Sequence, residues 1–301
     1  MPGYVQKQLI RFRPTESKHA ASPSSYAPPV MGPQVTFVDN SPLLSGDKIK
    51  WVQAVVGAFQ FYARAIDPTM LTAVYDIASP GGPPTERLIT MCERLMAYAA
   101  AYPDNELRFY KSDMILETQA DASYLSRSKA RSVAGGIAYL TSKGDGTPSP
   151  IPNGAVATLS QIIDVVVASV AEAEYASVFK NGQAAAWLRV VLGAMGHIQP
   201  ATDLWTDNGC AVGLANDTLK IKRSKSIDMR FHWVRDRIRQ GQLKVKWQKG
   251  ATNLADFFTK ALPVHEHQEI MHKLVHVPHN KTGSARSARR TQRARARRFP
   301  P

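Results

Sequence analysis

The chain has 301 residues, 44% hydrophobic and 21% charged, which excludes a fully disordered protein. Its two cysteines, Cys92 and Cys210, are too few for a disulfide scaffold or a cysteine-based zinc site. Lys and Arg number 38 against 24 Asp and Glu, a net charge of +14; removing the eight basic residues of 281–301 leaves +6 for residues 1–280. The N-terminus has no signal-like apolar run, and no apolar stretch reaches membrane-spanning length. A soluble intracellular protein, cytoplasmic or nuclear and without a membrane partner, is expected.

Residues 1–46 carry Pro14, Pro23, Pro28, Pro29, Pro33 and Pro42 among many serines, with no persistent helical or strand period. They are predicted to form an extended lead-in. Trp51, Val55, Val56, Phe59 and Tyr62 then recur at helical spacing, until Asp67-Pro68 breaks the run. A second helix passes through Leu71, Val74 and Ile77 and stops at Ser79-Pro80-Gly81-Gly82-Pro83-Pro84. Thr85 is placed to cap a third, with Leu88, Met91, Cys92, Leu95 and Met96 on its apolar face and Pro103 at its end. Residues 47–106 thus read as a small helical segment.

From Leu107 the character changes. Residues 107–110 and 114–116 read as strand leading to Asp121, and 133–140, with the pair Gly135-Gly136, as a second strand. After a Gly/Pro/Ser loop over 143–153 comes a strand at 155–159, then a long helix over about 165–195. Residues 204–206 form a strand ending on Asp207; a helix over 227–240 precedes a strand over 243–247, and a last helix begins near Asn253. This order gives an α/β domain around a mixed sheet at 107–262. A C-terminal helix at 263–280 and a disordered Arg-rich tail at 281–301 complete the chain.

Four carboxylates invite a chemical reading. Asp121 and Asp207 are expected at strand ends, where open α/β sheets place ligands. Steps of three and four from Glu174 reach Val167, Val170, Ala171, Val178, Asn181, Ala185 and Leu188, so Glu174 lies on an apolar helix face, while Glu172 points to a more mixed one. Asp256 opens the last helix. Gathered carboxylates repel one another unless cations are present. Oxygen-only donors suit Mg²⁺ or Mn²⁺, and two such ions about 4 Å apart suit phosphodiester hydrolysis. Taken singly, Asp207 and Asp256 read rather as turn and cap residues.

Asp121-Ala122-Ser123-Tyr124-Leu125, with Lys129-Ala130-Arg131-Ser132-Val133-Ala134-Gly135-Gly136, resembles the opening of the ribonuclease H domain of copia-type LTR retrotransposon polyproteins. Ala171-Glu172-Ala173-Glu174-Tyr175, Trp205-Thr206-Asp207-Asn208, Arg223-Ser224-Lys225-Ser226-Ile227-Asp228-Met229-Arg230-Phe231 and Asn253-Leu254-Ala255-Asp256-Phe257-Phe258-Thr259-Lys260 resemble its later motifs, in the family's order. Upstream, Val55-Val56-Gly57, Tyr62-Ala63-Arg64-Ala65-Ile66-Asp67-Pro68 and the stretch 84–110 look like the segment connecting reverse transcriptase to ribonuclease H. The resemblance implies a C-terminal polyprotein fragment: a reverse-transcriptase connection remnant followed by a ribonuclease H-like mixed five-stranded sheet flanked by helices. It implies endonucleolytic cleavage of the RNA strand of RNA–DNA hybrids with two Mg²⁺ ions, Mn²⁺ serving in their place. Asp121, Glu174, Asp207 and Asp256 fall on the family's four metal-binding catalytic acids. Asp121 would bridge both ions, Glu174 and Asp207 would stand beside the attacked phosphate, and Asp256 would complete one ion's coordination. Backbone and 2′-OH contacts would recognise the hybrid.

The chain departs from the family in places. Ser226 stands where the family has His, which bears on binding. The loop Gln248-Lys249-Gly250-Ala251-Thr252 carries no His, which is expected to slow product release. His265, His267, His272, His276 and His279 have no cysteine beside them and read as a solvated helix face rather than a zinc cluster. Trp51, Phe59 and Phe61 are expected to be exposed on the helical segment and to favour self-association. The alternative reading is a non-catalytic nucleic-acid-binding remnant, or a functionless one, with the tail binding other nucleic acid through phosphates. Removing residues 281–301 is expected to reduce the slope of log affinity for a hybrid against log salt. An unchanged slope in a filter-binding titration would show that the tail makes no phosphate contacts.

Overall fold

The computed structural model describes residues 1–14, 19–28, 39–142, 153–218 and 228–278. The Arg-rich tail, most of the 143–153 loop, and Arg223 to Ile227 with Ser226 lie outside them. Helices α1 (Tyr4–Phe12), α2 (Gly46–Ala65), α3 (Leu71–Ala78) and α4 (Arg87–Ala101) come first. Strands β1 (Ile115–Arg127), β2 (Arg131–Thr141) and β3 (Ala155–Ile162) lead to the long α5 (Val170–Ala194). Then follow β4 (Thr202–Thr206), α6 (Gly209–Ala215), α7 (Asp228–Arg239), β5 (Leu243–Trp247), a 3-10 helix at Leu254–Phe258, and α8 (Val264–Leu274).

The five strands form one mixed sheet in the order β3-β2-β1-β4-β5. β1 is antiparallel to β2 and parallel to β4; β2 and β3 pair antiparallel, β4 and β5 parallel. This is the α/β mixed sheet flanked by helices that the sequence led one to expect. Period-two alternation sorts the residues of β2. Ala134, Gly136 and Ala138 face the layer of α5. Gly135, Ile137 and Tyr139 face the other layer, where α1 to α4, the 3-10 helix and α8 share one continuous core around Phe59, Tyr62, Leu71, Met96 and Phe258. No helix of the described residues is long and apolar enough to cross a membrane.

Several local expectations need correction. The lead-in is not extended at its start: α1 forms there, burying Val5 and Phe12 in the shared core and stacking Tyr4 on Tyr62 at 5.5 Å. Nine residues are too few for a stable isolated helix, so tertiary contact makes this one. Phe59 is fully buried and Trp51 meets Phe12 edge-on, because α2 packs into that core; Phe61 stays exposed. Thr85 bridges to Leu43 instead of capping α4, whereas Asp67 caps the turn Pro68–Met70 through the Thr69 N–H. Residues 107–110 form no strand. The last helix starts as the short 3-10 segment. His267 is buried, its Nε2 3.2 Å from the Tyr98 hydroxyl and its ring against Phe257; burial pushes its pKa down to about 4.

Since α1 to α4 and the sheet share a core, they should unfold together. Phe59→Ala is expected to cost about 3–5 kcal/mol. It should lower the urea midpoint equally by far-UV circular dichroism and by tryptophan fluorescence, with two separate transitions counting against a shared core.

Candidate active site

Parallel pairing of β1 with β4 covers only Glu117 to Gln119 against Asp203 to Trp205. Asp121 and Asp207 therefore stand just past the carboxyl end of the same parallel pair, one on each chain segment. Asp121 does not end β1, as had been expected; the strand runs six residues further because β2 continues to pair with it. The placement beside β4 is nevertheless that of a strand-end ligand. Asp207 follows Thr206 directly, and the next residue, Asn208, caps α6 by accepting from the Ala211 N–H. The Asp207 carbonyl accepts the indole N–H of Trp247 at 2.9 Å.

Glu174 comes from the layer on one side of the sheet. Ser169 caps α5 by accepting from the Glu172 N–H at 3.1 Å, and the Glu172 carboxylate accepts from the Ala168 N–H at 2.7 Å. Glu172, expected on a more mixed face than Glu174, is thereby buried as well. The cap starts α5 so that Glu174 faces β1. One turn on, the Ser177 hydroxyl lies 2.6 Å from the Asp121 carbonyl and 3.1 Å from that of Gly135. Ligand oxygens of Asp121, Glu174 and Asp207 all lie within 4.8 Å of one another. Asp121 and Glu174 are buried and Asp207 half-buried.

Asp256 arrives from the opposite layer on the 3-10 helix, which polar groups of β1 hold down. The Gln119 side-chain oxygen accepts from the Leu254 N–H at 2.7 Å. Asn253 donates to the Ala120 carbonyl at 3.0 Å and accepts from the Ala255 N–H. Gln119 also donates to the Tyr139 hydroxyl, which in turn donates to Glu117 at 2.6 Å. The structure brings Asp256 near the other acids but not into their cluster. Its Oδ1 pairs with Lys260 Nζ at 2.6 Å.

Burial pushes the Asp121 carboxyl up, with Asp256 and Asp207 adding repulsion and the Thr259 hydroxyl pulling it back. Glu174 is raised by burial first and then by Asp121 and Asp207, partly countered by the Ala122 N–H. Asp207 is raised by burial and then by Asp256. Around these acids stand residues that sequence reasoning missed: Ser177, Thr259, Gln119, Asn253 and Trp247. The Gly135-Gly136 pair inside a strand was a signal of close approach that could have pointed to Thr259 and Asn181. A Cβ on Gly135 would sit 2.5 Å from the Thr259 methyl, and one on Gly136 would collide with Asn181.

The mixed five-stranded sheet in the order β3-β2-β1-β4-β5, flanked by helices, is a ribonuclease H-like α/β fold. No family profile matches the chain. It is 28% identical over 169 residues to the retrovirus-related Pol polyprotein from transposon TNT 1-94 of Nicotiana tabacum, covering 56% of this chain and 12% of that protein. It is 26% identical over 265 residues to the Pol polyprotein from transposon RE1 of Arabidopsis thaliana, covering 86% of this chain and 16% of that protein. The chain thus spans under a fifth of the length of these curated relatives. Among solved structures, the N-terminal ribonuclease H domain of a Mycobacterium tuberculosis protein matches 53% of this chain and 97% of its own, with a TM-score of 0.36 and 15% identity. The relatives are Pol polyproteins of copia-type transposons, and the chain fits a C-terminal fragment of such a polyprotein.

Without metal, the raised acids make the folded state bind more protons than the unfolded state above about pH 4. Stability from these groups is therefore present at low pH and lost as pH rises through their folded values. In EDTA, Asp121→Asn is expected to gain melting temperature over wild type as pH goes from 5 to 8. Scanning calorimetry of the pair checks this, and a constant difference would remove the charge repulsion from the account.

Proposed function

We propose that the chain is a divalent-metal-dependent ribonuclease H that hydrolyses the RNA strand of RNA–DNA hybrids. The observation that carries this reading is the cluster of three carboxylates within 4.8 Å, of which the buried Glu174 Oε2 has no hydrogen-bond partner. A buried anionic oxygen without a donor is costly, and a cation satisfies it. The donor set is all oxygen, with neither His nor Cys in the cluster, and fits Mg²⁺ or Mn²⁺. Asp121, Glu174 and Asp207 would hold the metal, and Asp256, freed from Lys260, would add a fourth carboxylate for a second ion. Bound there, such ions supply Lewis-acid stabilisation of the scissile phosphate and a water of lowered pKa.

The chain's own residues do the rest. Asp121 and Asp207 fix the point of attack at the end of the parallel strand pair, on backbone that the sheet makes rigid. Glu174, buried on α5, closes the site from that layer. Lys260, half exposed beside Asp256, is placed to meet a phosphate. Trp247 presents an exposed indole next to Asp207, a surface suited to the sugars or bases of a bound strand. None of these groups is positioned to read base edges, so sequence preference should be slight.

A labelled hybrid incubated with the protein in Mg²⁺ or Mn²⁺ should lose its RNA strand only, and chelation should stop the reaction. Asp121→Asn should lower the rate by about 10²–10³-fold, the order of a lost principal electrostatic group, while hybrid binding persists. Cleavage by Asp121→Asn at the wild-type rate would sink the assignment.

A further inference from the structure

We propose that Thr259 is a positioning residue for Asp121, its hydroxyl holding the carboxylate on which the metal site centres. The proposal rests on the ribonuclease H reading above. Thr259 is fully buried. Its Oγ1 lies 2.8 Å from Asp121 Oδ2 and 2.9 Å from the Asp256 carbonyl oxygen. A hydroxyl has one proton to donate. The Asp256 carbonyl already accepts the Thr259 backbone N–H at 3.1 Å. The hydroxyl proton therefore goes to the carboxylate, the stronger acceptor when ionised.

The approach that makes this bond is built into the sheet. Gly135 stands directly opposite Asp121 in the β1–β2 register. Any Cβ there would lie 2.5 Å from the Thr259 methyl and 2.6 Å from the Ala255 carbonyl. A side chain at this position would push the 3-10 helix off the sheet and draw Thr259 away from Asp121. Only glycine leaves the gap that Thr259 fills.

Asp121 is thus held from two layers. Ser177 of α5 donates to its backbone carbonyl at 2.6 Å, and Thr259 donates to its carboxylate. No other side-chain hydrogen bond reaches that carboxylate among the described residues. Its rotation about the Cβ–Cγ bond is consequently set by Thr259. The same contact couples Asp121 to Asp256, since Thr259 follows Asp256 by three residues on one short segment. Groups that orient a metal ligand in this way typically account for 10–100-fold in metal affinity or rate.

The test is Mn²⁺ binding by titration calorimetry, with hybrid cleavage alongside, on wild type, Asp121→Asn, Thr259→Val and Thr259→Ser. Thr259→Val keeps the shape and loses the donor. It is expected to bind Mn²⁺ about 10-fold or more weakly and to lower kcat while leaving KM for hybrid unchanged, because the side chain does not reach the surface. Thr259→Ser, which keeps the hydroxyl, is expected to restore both. If Asp121→Asn abolishes Mn²⁺ binding but Thr259→Val binds like wild type, the site stands and the role of Thr259 falls. A serine variant that rescues neither quantity also overturns it. If wild type and Asp121→Asn bind Mn²⁺ equally, the reading of the site itself fails. Should Thr259→Val prove unfolded by circular dichroism, Thr259→Ala, which only removes atoms, carries the same comparison.

Discussion

Asp121, Glu174 and Asp207 bring three carboxylates within 4.8 Å of one another in a place where water is scarce. Such an arrangement does not form by itself. Repulsion and desolvation both oppose it, and both appear as the upward displacement of the carboxyl pKa values. The remainder of the fold must supply enough favourable burial to hold it. Two apolar layers do so, one led by α5 and the other by α1 to α4 with α8. Small polar donors then moderate the charge locally: the Ala122 N–H toward Glu174, the Thr259 hydroxyl toward Asp121, and Lys260 beside Asp256.

The layer of α1 to α4 bears on the site through β1. One face of that strand presents Glu117, Gln119 and Asp121, a row of polar side chains buried in the middle of a sheet. Buried polar groups need partners. Tyr139 bridges Glu117 and Gln119, Gln119 accepts from Leu254, and Thr259 serves Asp121. The row thereby becomes a rail that locates the segment carrying Asp256. That segment is clamped from behind as well: Thr72 of α3 donates to the Phe257 carbonyl at 3.0 Å, and the His267 ring of α8 lies against Phe257. The N-terminal helices are thus structural support for the candidate site rather than an appendage to it.

Much of this was legible without coordinates. The sheet's strands, the long helix and the buried placement of Glu174 follow from local period, which depends only on neighbouring residues. The strand-end position of Asp207 follows from the same pattern with the rule on where open sheets bind ligands, whereas Asp121 lies inside β1 because β2 goes on pairing past it. The errors cluster where local pattern and long-range packing disagree. Phe59 was expected to face solvent because the core that buries it is assembled from helices and strands far apart in the chain, which no local pattern announces. His267 was expected in water because nothing near it in sequence shows that Tyr98 and Phe257 wait across the fold.

Sequence by itself determined the α/β class and the order of the sheet's strands around the long helix, since both reside in residue type and spacing, and it singled out the four acids as candidates. Tertiary structure alone decided that three of those acids converge while Asp256 stays paired with Lys260. It also decided that Gly135 leaves room for Thr259 beneath Asp121, and that the helices of the first hundred residues seal the sheet's second face. Each of these depends on distances between residues far apart in the chain. Those distances are set by close packing of side chains against both faces of one sheet, which no local period encodes.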